Sequence, residues 1–196
     1  MCVVGAPAAA RSAVPPGPVF GRSVVVAPAG GRVLVEVAGG HGGFVRLTSS
    51  RSVPVGTLVD TTAGTVNLTS ANPNGKTQRG RFFRGIFRIE QRQTEGGLVN
   101  LVIRDNLTQS VCAAKSARSA AVNPKVLGLL RGTAKGRFRT TGRFAAATVR
   151  GTDWGVRDRC DGTLTVVRRG VVVVRDFRLH KSVIVRAGQT YLAKGS

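Results

Sequence analysis

The 196-residue chain is poor in acidic side chains, with 9 Asp and Glu against 30 Lys and Arg, so its formal net charge is +21. A protein this basic suits anionic partners, because its electrostatic field concentrates polyanions at its surface. Aromatic residues make up only 5% of the chain. Since single-stranded nucleic-acid binding uses exposed aromatic platforms, base-specific recognition is not expected. The charge predicts either binding to a polyanion or, alternatively, a solvated surface produced by arginine-rich coding bias.

Further absences narrow the possible chemistry. No apolar run approaches the ~20 residues that a membrane helix needs, so no membrane span is expected. The chain has only two His residues, and its three Cys residues show no CxxC spacing, so neither a metal nor a cofactor is expected. His41 and His180 have no adjacent nucleophile, while Asp158 and Asp161 flank turns beside arginines and are expected in surface ion pairs. The sequence therefore predicts no catalytic residues and no enzyme.

Two of the three cysteines, Cys112 and Cys160, are candidates for a disulfide worth about 3–4 kcal/mol of stability. The alternative is a pair of unrelated buried thiols. A disulfide predicts an extracellular or cell-surface location, because the cytosol is reducing. The start of the chain lacks the basic stretch and apolar core of a signal sequence. We expect it to be a flexible linker left after a larger protein or its signal sequence was cleaved.

From residue 31 onward, short apolar segments alternate with glycine-rich turns. Val33, Val35 and Val37 share one face of an extended segment, which is the period of two that is typical of a strand. Similar segments recur to the end of the chain, and only residues 107–122 lack this strand-like alternation. The pattern predicts an all-β fold, with a solenoid-like or sandwich arrangement of short strands and at most one short helix near 107–122.

The composition also predicts the domain organisation. Residues 1–30 are rich in Ala, Pro and Gly and are expected to form a disordered linker. Residues 31–196 are expected to form a single β domain. Gly-Thr pairs at 56–57 and 64–65 are echoed at 151–152 and 162–163, which predicts two pseudo-repeated halves.

The most basic segment contains the candidate binding residues. No carboxylate occurs between Asp105 and Asp153, and arginines alternate with Phe138 and Phe144 in this interval. Because side chains on a strand point to opposite faces in turn, the aromatic face is expected inside and the cationic face outside. The predicted polyanion-binding residues are Arg131, Lys135, Arg137, Arg139, Arg143 and Arg150.

Residues 147–156, Ala-Thr-Val-Arg-Gly-Thr-Asp-Trp-Gly-Val, resemble the core signature of the FecR protein family domain. Later segments, from Asp161-Gly162-Thr163 to Arg186-Ala187-Gly188-Gln189, are similar to the rest of its pattern, so the resemblance is best over 126–193. Cys160 beside the Asp161-Gly162 turn resembles the actinobacterial cell-surface variants. The resemblance implies a single FecR-like β domain over residues 31–196, outside the cytoplasmic membrane.

Together these features predict a non-catalytic extracytoplasmic β domain that binds or scaffolds at the cell envelope through a cationic surface. Its expected partner is an anionic envelope polymer or a surface protein. Two alternatives stay open: a sensing module of a FecR-type regulator that recognises a partner protein, and a basic protein that binds nucleic acid without sequence specificity.

Overall fold

The computed structural model describes residues 15–40, 42–104, 112 and 125–195. Its secondary structure is almost entirely β-strand, with one short 3₁₀ turn at Gln93–Glu95, so the all-β prediction is confirmed. Apart from Cys112, the helix predicted near 107–122 lies outside the described residues. The strands are β1 (Ser23–Glu36), β2 (Val45–Arg46), β3 (Arg51–Pro54), β4 (Leu58–Ala71), β5 (Thr77–Phe83), β6 (Ile86–Gln91), β7 (Val99–Arg104), β8 (Val126–Thr141), β9 (Ala145–Arg159), β10 (Gly162–Arg169), β11 (Val171–Asp176), β12 (Lys181–Arg186) and β13 (Thr190–Lys194).

The described strands form one sheet that closes on itself. β4 pairs with β5 through residues 65–71 and with β6 through residues 58–60. β8 pairs with both β5 and β7, and β7 pairs with β6, so the order β4–β5–β8–β7–β6 returns to β4. This barrel-like circuit corrects the solenoid-like arrangement, in which rungs would stack on their neighbours without closing.

The sheet contains four long strands, two within the circuit and two paired to it from outside, which differs from the short strands that the glycine spacing predicts. β1, β4, β8 and β9 contain 14, 14, 16 and 15 residues. Their pairings shift register at β-bulges near Gly31 and Gly136, where φ is +67° and +126°. A side chain at Gly31 would collide with the carbonyl oxygen of Ala63. Glycine therefore bends these strands without ending them.

The first part of β1 corrects the predicted linker boundary. Residues 23–30, which the composition assigns to a disordered segment, pair with β3 and β4. Val24 and Val26 are completely buried there. The valine alternation at 23–26 is the signal that outweighs the neighbouring Ala, Pro and Gly residues, because burial of each valine stabilises the strand by about 1.5–3 kcal/mol.

An aromatic cluster fills the centre of the sheet. The ring of Phe82 lies 5.9 Å from Phe87, 5.5 Å from Phe138 and 6.1 Å from Trp154, measured between centroids. Trp154 donates its indole N–H to Thr140 Oγ1 at 3.1 Å, so its polar atom is satisfied inside the core. The cluster joins β5, β6, β8 and β9, and it fixes which faces of these strands point outward.

Candidate polyanion-binding groove

A groove of about 690 Å³ lies where β1, β4, β5, β8, β9 and the end of β10 come together. Four of its lining residues are cations, and no described lining residue is a carboxylate. The cations come from three strands, and two of them lie on β5. They are Arg79, Arg81, Lys135 and Arg169.

Strand alternation explains how three of these cations reach the groove. Gln78 and Phe82 on β5 are buried, whereas Arg79 and Arg81 between them are exposed. Lys135 on β8 is exposed and lies directly opposite Arg79 in the β5–β8 register. Two like charges at directly opposed positions destabilise a sheet, by up to about 1 kcal/mol. The fold therefore places these two charges together at a cost to its own stability.

The groove cations have few partners within the protein. Across residues 15–40, 42–104, 112 and 125–195, Arg79, Lys135 and Arg169 form no ion pair and no side-chain hydrogen bond. Arg81 donates from Nη2 to the carbonyl oxygen of Ala29 at 3.2 Å, a contact that positions its guanidinium without neutralising it. The charge of the groove is thus available to an external anion.

Between the cations, the groove is lined by small hydroxyl and amide side chains. Thr152 also borders the groove, but it lies directly opposite Ala134, so its side chain shares the buried face with Ala134 and Trp154. No aromatic ring is among the described lining residues. These polar groups suit oxygen-rich ligands and offer no platform on which a base could stack. They are Ser50, Asn67, Thr69 and Thr133.

Of the six residues predicted from the sequence to bind a polyanion, one lines the groove and one lies beside it. Lys135 is the lining residue. Arg131 is on the same face of β8, and its guanidinium lies 5.1 Å from the centroid of the Phe83 ring. Arg131 also borders a narrow cleft with Arg157 and Arg168, which extends the cationic surface.

The other four predicted residues lie beyond the β8–β9 bulge or in the turn that follows. Arg139 forms a 2.9 Å ion pair with Glu95, and Arg137 donates from Nη1 to the carbonyl oxygen of Gly96 at 2.7 Å. Arg143 lies over the Phe144 ring at 5.3 Å. Arg150 is exposed directly opposite Arg137. The predicted set therefore does not form one surface, because the bulge and the turn separate its members.

Sequence reasoning missed Arg79, Arg81 and Arg169. The first two stand two residues apart in Thr77–Phe83, with small or apolar residues between and after them, so their shared face was readable from the pattern. Their proximity to Lys135 was not readable, because it depends on the pairing of β5 with β8. Arg169 reaches the groove through a register shift at the end of β10, which no local pattern indicates.

The candidate acid–base residues have structural partners. Asp161 forms the expected ion pair with Arg159, and this contact raises the pKa of the Arg159 guanidinium. Asp158 differs from the expectation of a surface ion pair, because it is completely buried and accepts hydrogen bonds from the Arg143 N–H and the Thr163 hydroxyl. In the part of the chain that the structure describes, no group of three or more His, Cys, Asp or Glu residues is placed to hold a metal ion.

Asp176 is a further buried carboxylate with built-in partners. It accepts hydrogen bonds from the Leu179 N–H at 2.9 Å and from the Tyr191 hydroxyl at 2.8 Å. Burial alone would raise the pKa of Asp176, but these hydrogen bonds, another from the Arg178 N–H and the nearby charge of Lys181 outweigh it, so the pKa is lowered. Burial and the same contact raise the pKa of Tyr191. This carboxylate stabilises the end of the sheet.

The cysteine prediction is confirmed, because Cys112 and Cys160 form a disulfide with their Cα atoms 5.4 Å apart. The bond connects the chain between β7 and β8 to the residue that follows β9. Among the described residues, the structure contains no helix long and apolar enough to cross a membrane. Comparison with known proteins finds no matching family model, no matching curated protein and no matching solved structure.

Proposed function

We propose that this protein is a non-catalytic, extracytoplasmic binding domain that holds a base-free anionic polymer of the cell envelope in the groove. Polymers of this class carry phosphate or sulfate groups on a sugar or polyol chain. Arginine suits them because its planar fork donates two parallel hydrogen bonds to one oxyanion.

The observation that carries the proposal is the group of unpartnered cations in a groove without described carboxylate lining. Arg79 and Lys135 face each other directly, which destabilises the free protein. An anion between them replaces this repulsion with attraction and adds charge-assisted hydrogen bonds, each worth about 1.5–3 kcal/mol. Binding energy of this origin needs no reactive group.

The proposed location rests on the disulfide and on the resemblance to the FecR family. Disulfides persist in oxidising compartments and are rare in the cytosol. A cell-surface domain of this charge would meet anionic wall or capsule polymers at high local concentration.

The groove favours a base-free polymer over nucleic acid. Single-stranded nucleic acid gains about 1–3 kcal/mol for each base stacked on an aromatic ring. The described lining contains hydroxyl and amide groups in place of such rings. Sugar or polyol hydroxyls can form hydrogen bonds with these groups, so the neutral part of the ligand has partners as well as its charges.

The test is a titration with poly(glycerol phosphate) and with heparin over a range of salt concentrations. Charge-driven binding predicts that log K falls linearly with log salt. The variant Arg79→Gln/Lys135→Gln should bind at least tenfold more weakly, with a salt slope that is shallower by about 1–2. The matched control is Arg92→Gln/Arg104→Gln, which removes two exposed cations from the two ends of the β6–β7 pair.

The control variant has the same net charge as the groove variant and should bind within about twofold of the parent protein. Equal losses in the two variants would mean that overall charge, and not the groove, drives binding. Affinity that did not change with salt would contradict a charge-driven mechanism. Tighter binding to single-stranded DNA of equal charge would favour the nucleic-acid alternative.

A further inference from the structure

The turn between β11 and β12 exposes large apolar side chains at one end of the sheet. Residues 177–180 form this turn, in which Phe177 is 39% exposed and Leu179 is 52% exposed. Turns favour small and polar residues, because these adopt the required backbone conformations and interact well with water. Apolar side chains that are exposed close together, unlike single ones, mark interaction sites. The groove does not account for these two side chains, since neither lines it.

Cations surround this turn. A cavity of about 260 Å³ lies between the turn and β13, and its lining combines Leu179 with the cations Arg178 and Lys194. Lys181 follows the turn at the start of β12 and is exposed. The carboxylate in the lining, Asp176, is buried and already accepts hydrogen bonds from the Leu179 N–H and from a tyrosine hydroxyl. The exposed surface around the turn is therefore apolar and positively charged.

The backbone of the turn is suited to an apolar environment. The Phe177 N–H donates to the carbonyl oxygen of Phe144 at 3.0 Å, and the Leu179 N–H donates to Asp176 Oδ1 at 2.9 Å. The Arg178 N–H donates to the same carboxylate. Inside a bilayer there is no water to bond a free backbone N–H, so such groups must be satisfied within the protein. The first three N–H groups of the turn meet this requirement.

We infer that residues 177–180 insert into the surface of an anionic lipid bilayer, with the two apolar side chains among the acyl chains and the three surrounding cations at the lipid phosphates. Apolar side chains bordered by basic residues bind membrane interfaces in this way, and each cation near an anionic surface adds to the attraction. The inference does not depend on the groove. Asp176, just before the turn, pairs with Ala145 on β9, whereas β9 reaches the groove at Gly151, about 20 Å farther along the strand.

The size and chemistry of the turn favour a bilayer over a protein or a polymer. A stable protein interface covers about 800 Å² on each partner, which is far more surface than a turn this short provides. A charged sugar or polyol polymer has no apolar part to contact Phe177 and Leu179. A bilayer presents acyl chains and phosphate groups at the same boundary, so it matches both features of the turn.

The first test measures binding to vesicles made of equal parts of phosphatidylcholine and phosphatidylglycerol. Phe177→Ser/Leu179→Ser should bind about tenfold more weakly than the parent protein, because less apolar surface leaves water on binding. The matched control is Phe44→Ser/Val45→Ser, which removes an aromatic and an aliphatic side chain of similar exposure, 40% and 46%, at the start of β2. The control should bind within about twofold of the parent. Fluorescence of the single tryptophan, Trp154, verifies that each variant folds.

A second pair of variants tests the cations around the turn. Lys181→Gln/Lys194→Gln should bind the same vesicles about tenfold more weakly, since two charges next to the membrane surface are lost. Arg92→Gln/Arg104→Gln has the same net charge and should bind within about twofold of the parent. Vesicles of phosphatidylcholine alone should bind the parent protein at least tenfold more weakly than the anionic vesicles do.

Insertion itself can be observed with Phe177→Trp and vesicles that contain brominated phosphatidylcholine. Bromine in the acyl chains quenches an indole that touches them. Trp154 is only 1% exposed, so its emission in the parent protein should not change. The indole introduced at the turn should be quenched.

Several outcomes would overturn the inference. Parental vesicle binding by Phe177→Ser/Leu179→Ser, or an equal loss in Phe44→Ser/Val45→Ser, would show that the turn makes no specific contact with the bilayer. Unquenched emission from Phe177→Trp on bound vesicles would show the same. A parent protein that does not bind anionic vesicles would exclude a bilayer and favour a protein partner for the turn. Each of these results leaves the groove and its proposed polymer unaffected.

Discussion

Two parts of the outer surface use arginine in opposite ways, although β8 contributes to both. Over β6, β7 and the second half of β8, two arginines are paired with carboxylates: Arg139 contacts Glu95 at 2.9 Å and Asn100 at 3.2 Å, and Arg88 contacts Glu90 at 2.9 Å. Over β5 and the first half of β8, the groove cations have no carboxylate partner among the described residues. The bulge near Gly136 separates the two regions.

Paired and unpaired arginines have opposite effects on the stability of the fold. A partly buried ion pair that also makes hydrogen bonds joins neighbouring strands and favours the folded state. Unpaired cations at facing positions do the reverse, and under the proposed function an external anion compensates their repulsion. Net charge, which is a property of the whole protein, does not make this distinction. The pairing of individual side chains does.

The largest effect is expected when a carboxylate is placed in the groove, because it gives the groove cations a partner like those of the paired region. Thr69 lines the groove and lies directly opposite Arg79 on β5. Thr69→Glu should pair with Arg79, stabilise the protein by about 0.2–1 kcal/mol, and weaken binding to poly(glycerol phosphate) by tenfold or more. Denaturant unfolding and polymer titration measure the two effects.

The control for this change is Thr69→Gln, because glutamine has the shape of glutamate without its charge. Its binding and stability should both stay close to those of the parent protein. Thr69→Glu with parental affinity would show that the groove cations do not contact the polymer.

The buried carboxylate of Asp176 tests the second half of this comparison. A charge that has hydrogen-bond partners within the protein should contribute to the free energy of unfolding. Because the pKa of Asp176 is lowered from its ordinary value of 3.8, its contribution is present at neutral pH. The contribution is lost as the pH falls below that value and passes the pKa of the folded state. Asp176→Asn should cost on the order of 1 kcal/mol at pH 7.

Unfolding free energies at pH 7 and pH 2.5 provide the measurement. The parent protein should lose more stability between these values than Asp176→Asn does. An identical pH dependence in the two proteins would exclude Asp176 as a source of acid sensitivity. Polymer binding at pH 7 should be unchanged in the variant, since Asp176 does not line the groove.

The smallest expected effect is at Arg139, in the paired region. Arg139→Gln removes the ion pair to Glu95, and because these side chains are 25% and 29% exposed, the cost should be about 0.5–1 kcal/mol. Affinity for poly(glycerol phosphate) should change less than twofold. The exposed Arg92→Gln serves as control. A tenfold loss of affinity in Arg139→Gln would instead extend the binding surface across the bulge.

The local features of the fold were predictable from the sequence. The valines from Val171 to Arg175, the segment from Leu98 to Arg104 and the turn at Asn74-Gly75 all correspond to observed strands and a turn. These elements follow from side-chain alternation and from the backbone freedom of glycine, which act within a few residues. The run from Arg81 to Ile89 is less readable, because its apolar residues are nearly continuous. It forms two strands, and Arg84, between them, adopts a φ of +70°.

The groove was only partly predictable, because it depends on which strands become neighbours. The strand alternation of Arg137 and Arg139 was correct, and Phe138 is completely buried as expected. However, Arg139 is used in an ion pair with Glu95, which is distant in the chain. Conversely, Arg79 comes opposite Lys135 only when β5 pairs with β8. The barrel-like closure that creates this pairing has no local signature.

The most direct test of the account is a map of backbone amide NMR shifts during titration with poly(glycerol phosphate). We expect the largest changes at residues 79–81, 133–135, 151–152 and 169, which come from four strands and meet only in the groove. Changes concentrated at residues 86–104 and 137–141 would place the ligand on the paired region and contradict the account.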